Sequence, residues 1–419
     1  MQALRGTQDI LPDQVYKWNY MERVIRHLCA LYGYGEIRTP MFEDTKLFLR
    51  GIGDTTDVVT KEMYTFEDRG GRSITLRPEN TASVVRAYLE HKLYGDQQVH
   101  KVFYIGSMFR YDRPQAGRYR EFHQFGVEIL GAKSPAADAE CIALAYDLFQ
   151  RLGLHELKIH INSIGHSECR AAYRKKLIEF FEPKVDDLCD DCRERLHKNP
   201  LRILDCKEEG CRKASIGAPE ITDYLCDDCQ EKFDAVKSYL TAMGIPFEVD
   251  PRLVRGLDYY TNTAFEIQYT PLGAQSAICG GGRYDGLVEE VGGPSTPGIG
   301  FAVGMERLLL ALEMQNLIPE PETAKHVYIA AMGKEAEVAA VKLKLQKELR
   351  DREVPAEIDL QGKSLKGQMK HAGKSGAALV AIIGSSEMEE GVVQVKTMET
   401  GEQVKVNVAE AADYMAKNL

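Results

Sequence analysis

The sequence predicts an α+β chain: a large antiparallel sheet flanked by helices, broken by a mostly helical insertion and followed by a small α/β domain. Three observations carry this. Val102–Tyr111 and Glu121–Leu130 alternate in polarity on either side of a long loop, as antiparallel strands do. From residue 168 to 246 the chain turns polar, cysteine-rich and helical. After a proline-containing linker at 316–325, short apolar runs alternate with helical patterns. With 419 residues the chain is too long for one core. The expected division is a core in two parts (1–167 and 247–315), the insertion (168–246), the linker and a C-terminal domain (326–419).

The elements follow in order. Val15, Trp18, Met21, Ile25, Leu28 and Leu31 recur at helical spacing, and glycines at 33 and 35 end that helix. Glu36–Glu43, centred on Pro40, is extended and suits an edge or interface strand. Arg72–Leu76 reads as a strand and Thr81–His91 as a helix with Asn80 at its N-cap. Alternation along Glu121–Leu130 sets His123, Phe125, Val127 and Ile129 on a core face. Gln124, Gly126 and Glu128 share the other face, where a bare glycine between polar groups suggests a ligand floor. Ala136–Leu152 is a helix, Leu157–Asn162 a strand, and the first core closes with a glycine-lined strand and an amphipathic helix within Ile299–Gln315. In the C-terminal domain, strands at His326–Ala331, Val354–Ile358 and Ala378–Ile383 with helices between them predict a mostly parallel sheet.

Composition is that of an ordinary soluble protein, 44% hydrophobic and 28% charged. No apolar run is long enough to span a membrane, and the start carries no apolar secretion segment, so a cytoplasmic enzyme is expected. The net charge of −10 argues against nucleic acid, but charge is unevenly spread. Lys101–Arg120 holds one Lys and four Arg against Asp112 alone, and Lys363–Lys374 holds four Lys and no acid. Local patches outweigh the total because distant exposed charges are screened.

Two glycine patterns fail as nucleotide motifs. Gly362-Lys363-Ser364 and Gly373-Lys374-Ser375 lack the upstream glycine of a P-loop, having Glu357 and Gln368 there. Gly298, Gly300 and Gly304 are spaced one residue too widely for a dinucleotide fingerprint. Arginines offer another route to a triphosphate, since a guanidinium binds phosphate in a two-pronged fashion and stacks on aromatic planes. Arg110 leaves the end of a strand, and Arg307 begins a helix just after Gly304, where a flat base has room to approach.

At these residues a family resemblance appears. Phe109-Arg110 with Arg118-Tyr119-Arg120-Glu121-Phe122 resembles motif two of the class II aminoacyl-tRNA synthetases. Gly298–Arg307 resembles their motif three, and Ile37–Phe42 their motif one. Arg255–Tyr260 and Cys279–Tyr284 resemble signatures of the histidyl-tRNA synthetase family, and the likeness covers essentially the whole chain. It implies a class II synthetase-like sheet and a C-terminal anticodon-binding-like domain. It implies a homodimer acting on L-histidine, ATP with Mg²⁺, and histidine tRNA.

The resemblance also implies roles. Arg110, Arg118 and Arg307 would hold ATP beside Gly304, and Arg255 would sit at the α-phosphate. Glu79, Thr81 and Gln124 would take the amino acid's ammonium and carboxylate. Glu128, Tyr259, Tyr260 and Tyr284 would line the imidazole pocket, while Arg113 and Gln115 would reach the tRNA acceptor end. Asn80 and Asp112 stand where the family commonly has glycine and glutamate. A second reading is a non-catalytic paralogue, such as the partner subunit of ATP phosphoribosyltransferase. That paralogue typically lacks the arginine motifs and the C-terminal domain, both present here.

The insertion holds two matching knuckles, Cys189-x-x-Cys192 and Cys226-x-x-Cys229. In a reducing compartment they suggest either one structural zinc ion on these four thiolates, for which Cys206 or Cys211 can substitute, or free thiols on helix faces left from an ancestral site.

Overall fold

In a computed structural model, all residues are described except 54, 55, 57, 96–98, 207, 255, 322, 323, 334 and 335. The chain forms two compact units, Met1–Pro319 and Glu320–Leu419. No helix among the described residues is long and apolar enough to cross a membrane.

The first unit is built on an eight-stranded sheet. Its order is Gly35–Glu36, His100–Phe109, Glu121–Leu130, Gly298–Gly304, Ala277–Arg283, Thr261–Tyr269, Leu157–Ser163 and Glu248–Val249. The two short outer strands pair in parallel, and the six between them run antiparallel. One face packs under helices Pro12–Leu31, Pro135–Arg151 and Met305–Met314. Trp18, Met21, Ile25 and Leu28 are buried as the helical spacing predicts, whereas Val15 and Leu31 near the ends of that stripe are exposed. Phe125, Val127 and Ile129 meet them from the sheet. The other face carries Gln124, Glu128 and a cluster of tyrosines. Phe42–Asp44, Ser73–Leu76 and Tyr64–Glu67 form a separate three-stranded sheet, on which Phe42 and Phe66 are exposed.

The insertion is helical, as its polar sequence predicts. Helices Ser167–Phe181, Asp190–Lys198 and Glu209–Ala214 enclose a nucleus of Tyr173, Leu177, Phe181, Leu196 and Ile203, distinct from the main core. The next helix, Asp227–Ala242, instead buries Phe233, Val236 and Leu240 in the main core.

The second unit has a five-stranded sheet in the order Ala356–Ile358, Val327–Ala331, Leu379–Ile383, Val392–Thr397 and Gln403–Asn407. The first three strands are parallel, joined by helices Ala336–Asp351 and Leu365–Ser375. The last two are antiparallel, so the sheet is mixed rather than mostly parallel. Thr400 and Gly401 lie in the short connection between these strands, and Gly401 has φ +77°, a tight-turn geometry that lets the chain fold straight back.

Candidate active site

Two adjoining cavities of about 470 and 760 Å³ open on the sheet's free face. The smaller is centred on Glu128, which is buried in the strand Glu121–Leu130. Thr81 donates its hydroxyl to Glu128 Oε1 at 2.7 Å, and Tyr284 donates its phenol to Oε2 at 2.5 Å. Burial pushes the Glu128 carboxyl up to about 8, against the opposing pull of those hydroxyls. The phenols of Tyr104, Tyr259 and Tyr284 are raised well above their ordinary range, chiefly by burial, so they stay neutral donors. Tyr259 and Tyr260 pack ring to ring at 4.7 Å and line the same cavity. Gln124 Oε1 is buried without a hydrogen-bond partner among the described residues, and its side chain lines both cavities. An orphaned acceptor beside a buried carboxylate suits a polar ligand.

Glu79 lies in the loop before the helix Thr81–Glu90. Its carboxylate accepts from the backbone N–H of Thr81 at 2.7 Å and of Ala82 at 3.0 Å. Burial raises its pKa, and these helix N–H groups oppose the rise. Glu79 therefore does the capping expected of Asn80. The Asn80 side chain turns away and accepts from Thr39 at 2.7 Å and from Arg77 at 3.2 Å. Gly126 also differs from expectation. A β-carbon there would lie 2.3 Å from the Tyr104 phenol, so the bare position houses Tyr104 rather than a ligand.

The larger cavity is lined by Arg110, Arg118 and Arg307. Arg110 is fixed by Nε donating to the Pro78 carbonyl at 2.8 Å and lies over the Phe122 ring at 5.5 Å. Arg118 pairs with Asp112. Arg307 donates to the Ala277 carbonyl at 2.8 Å, and its pKa is lowered first by burial and then by Arg118. Mutual repulsion of two guanidiniums in one wall is relieved by an anion. Gly304 lines this cavity, and a β-carbon there would meet only Arg307, at 3.9 Å and beyond. Glu306 steadies the helix behind it, accepting from the His123 backbone N–H at 2.9 Å and lying 2.9 Å from His123 Nδ1. Arg113 and Gln115 are exposed on the loop between the two long strands and line neither cavity. Arg255 lies outside the described residues, while Gly256 and Leu257 beside it line the smaller cavity.

Several site residues escaped the sequence reading. Tyr104 sits on a strand whose alternation alone does not separate a pocket phenol from a packing one. Arg77 is buried and donates to the carbonyls of Ser107 at 2.8 Å and Thr39 at 3.0 Å, holding the loop that carries Glu79. The insertion supplies Cys189, Asp191, Arg195, Arg202 and Asp205 to the smaller cavity, so it is a wall of the site.

The cysteine pattern also needs correction. Cys189, Cys192, Cys226 and Cys229 do not converge as one set. Cys189 and Cys192 gather with Cys206 and Cys211, and Cys226 and Cys229 gather with His166 and Cys169. The cause is packing: the first knuckle belongs to the insertion's nucleus, and the second begins the helix that docks on the main core.

Each of the two units matches a known family. Residues 6–308 match the family described as histidyl-tRNA synthetase, and residues 326–418 match the anticodon binding domain. The chain is 56% identical over 417 residues to the histidine–tRNA ligase of Halothermothrix orenii, covering 100% of this chain and 99% of that protein. It is 55% identical over 406 residues to the histidine–tRNA ligase of Desulforamulus reducens, covering 97% and 96% respectively. The crystal structure of apo S. aureus histidyl-tRNA synthetase superposes with a TM-score of 0.82 at 43% identity, covering 99% of this chain and 100% of that one.

Proposed function

The chain belongs to the histidyl-tRNA synthetase family, and from that premise we propose how its residues divide the reaction. The reaction is that of a histidine–tRNA ligase. The carboxylate of L-histidine attacks the α-phosphorus of ATP, pyrophosphate leaves, and histidyl-adenylate forms. A hydroxyl at the 3′ end of histidine tRNA then attacks the histidyl carbonyl, and AMP leaves.

The smaller cavity takes histidine. Glu128, Tyr259, Tyr260 and Tyr284 surround the imidazole, while Glu79, Thr81 and Gln124 face its ammonium and carboxylate. The observation that carries this assignment is the buried Glu128 carboxyl, held by Thr81 and Tyr284 at the cavity floor. A site built from buried polar groups rejects a ligand that leaves them unpaired. The larger cavity takes ATP, its phosphates set among Arg110, Arg118 and Arg307 and its base beside Gly304. Its motif assigns Arg255 to the α-phosphate, where a fixed cation would favour the charge that grows in the transition state. Magnesium comes with ATP as part of that substrate, and the carboxylates of Asp112 and Glu266 in the cavity wall suit its preference for oxygen. Arg113 and Gln115 meet the acceptor end of the tRNA.

The protein works as a homodimer in the cytoplasm. Met41, Phe42 and Phe66 are exposed, the two phenylalanines on the outer strands of the three-stranded sheet, and offer apolar surface to a second copy. A structural zinc in the insertion belongs to the same reading.

The test is exchange of labelled pyrophosphate into ATP with each amino acid in turn. Exchange is expected with histidine alone, followed by charging of histidine tRNA. Absence of histidine-dependent exchange with Mg²⁺ present would favour the non-catalytic paralogue.

A further inference from the structure

We propose that the chain holds two structural zinc ions, not one. The first centre is Cys189, Cys192, Cys206 and Cys211; the second is His166, Cys169, Cys226 and Cys229. This deepens the zinc reading above and rests on it.

Seven of the ten cysteines fall in these two groups, and all are free thiols. The other three, Cys29, Cys141 and Cys279, are buried in the main core as small apolar side chains. Within each group all four ligand atoms lie within 4.8 Å of one another. A tetrahedral zinc with Zn–S near about 2.3 Å needs sulfurs about 3.8 Å apart. Cys189 and Cys206 have their sulfurs 3.9 Å apart. With Zn–N near about 2.0 Å, a sulfur and an imidazole nitrogen should stand about 3.5 Å apart. His166 Nδ1 lies 3.0 Å from the Cys169 sulfur and 3.5 Å from that of Cys229. Such compact groups hold a single ion and leave no room for a multi-iron cluster. Sulfur-rich ligands select zinc over hard cations. Four protein ligands leave no open position for water, so both sites are structural.

The backbone is arranged for thiolates at both places. Cys189 and Cys226 sit at the N-caps of the helices Asp190–Lys198 and Asp227–Ala242, with Cys192 and Cys229 in the first turns. The positive end of each helix dipole favours a thiolate. Each N-cap cysteine also donates its backbone N–H to a sulfur of its own group, Cys189 to Cys211 at 3.2 Å and Cys226 to Cys169 at 3.2 Å. Behind the second centre, His166 Nε2 lies 3.5 Å from the Glu168 carboxylate, the kind of outer partner that orients a ligating imidazole. The aspartates inside the two knuckles are exposed, so water screens their charge from the thiolates.

Both centres brace the segment that carries the pocket tyrosines. In the first, Cys189 and Cys206 line the smaller cavity, and Asn199, just after the helix that Cys189 caps, donates to Asp258 at 2.9 Å. In the second, Arg170 beside Cys169 donates to the Tyr260 carbonyl at 3.0 Å, and the Cys229 thiol, while metal-free, donates to Asn262 Oδ1 at 3.2 Å.

The experiment is elemental analysis of the full-length chain, prepared under reducing conditions without chelator or metal-affinity tag. Two zinc ions per chain are expected. The pair Cys206→Ser with Cys211→Ser should remove one, Cys169→Ser with Cys226→Ser the other, and the fourfold variant both. One ion in the unaltered chain overturns the two-centre proposal and leaves a zinc-binding insertion. No ion overturns both. Cobalt(II) loaded in place of zinc keeps the question decidable if a variant does not fold. The unaltered chain should show together the bands of two tetrahedral centres, one with four sulfur ligands and one with three sulfurs and a nitrogen. One set of bands alone overturns the proposal. Neither readout depends on histidine activation, so the synthetase reading stands or falls separately.

Discussion

Gly300 faces Glu128 directly across the antiparallel pair, and a β-carbon at Gly300 would lie 2.0 Å from Glu128 Oε2 and 2.3 Å from the Val127 carbonyl. The side-chain oxygen can swing aside, but the carbonyl belongs to a paired strand and cannot. Gly300→Ala should therefore displace Glu128 and loosen the sheet. The expected result is a KM for histidine raised at least about tenfold, as one displaced charged hydrogen bond would do, and a melting temperature lower by several degrees. An unchanged KM would mean that Glu128 does not touch the substrate.

Glu128→Gln removes a carboxyl that the empty pocket keeps protonated up to about 8, and keeps its volume. When histidine binds, the carboxyl can give up its proton to the imidazole and make a charge-assisted hydrogen bond; losing that bond should cost roughly 10- to 150-fold in kcat/KM for histidine, at about 1.5–3 kcal/mol. Stability should change with pH as well. The folded chain holds the Glu128 proton up to about 8, against an ordinary value of 4.5. A carboxyl raised on folding favours the fold at low pH and loses that contribution as pH climbs through this window. Melting curves should show the unaltered chain losing ground to the variant between about pH 5 and about pH 9. A constant difference across that range would contradict a carboxyl perturbed by burial.

Arg307→Ala removes one of the two mutually repelling guanidiniums of the larger cavity. A cation that stabilises charge in the transition state is typically worth about 2.7–4 kcal/mol, so pyrophosphate exchange should fall roughly 100- to 1,000-fold. Histidine binding measured without ATP should stay within about twofold. Loss of histidine binding alone would move Arg307 out of the ATP site.

A chain ending at Pro319 keeps every residue of both cavities. It should retain pyrophosphate exchange within about tenfold and charge tRNA far more slowly, since Lys363, Lys366, Lys370 and Lys374 leave with the second unit. Equal loss of both activities would show that Glu320–Leu419 is needed for folding or assembly.

The sheet and its long strands were legible because burial on one face imposes a period of two, as Phe125, Val127 and Ile129 show. The arginine cavity was legible because family motifs name Arg110, Arg118 and Arg307, which the fold brings into one wall. What could not be read is what depends on contacts remote in sequence. Asn80 is the better N-cap residue by type, yet Arg77 and Thr39 claim its side chain and leave the cap to Glu79. Gly126 is bare for Tyr104, on the neighbouring strand. The two knuckles look alike in sequence, but separate hydrophobic nuclei draw them apart. His166 carried no signal, because a lone histidine three residues before a cysteine is common and means nothing until Cys226 and Cys229 arrive beside it.

The insertion's separate nucleus bears on how the sheet assembles. Leu157–Ser163 must find Thr261–Tyr269, and Ile159 pairs with Ile267 across the whole insertion. An unstructured loop of that length carries a closure entropy that grows with the logarithm of its length, and non-local pairing slows folding. Helices that condense early around Tyr173, Leu177 and Phe181 shorten the loop that remains to be closed. Refolding should then proceed in order, with the insertion gaining hydrogen-exchange protection before the strands on either side of it join. Substitutions in its nucleus would slow completion of a sheet that they never touch.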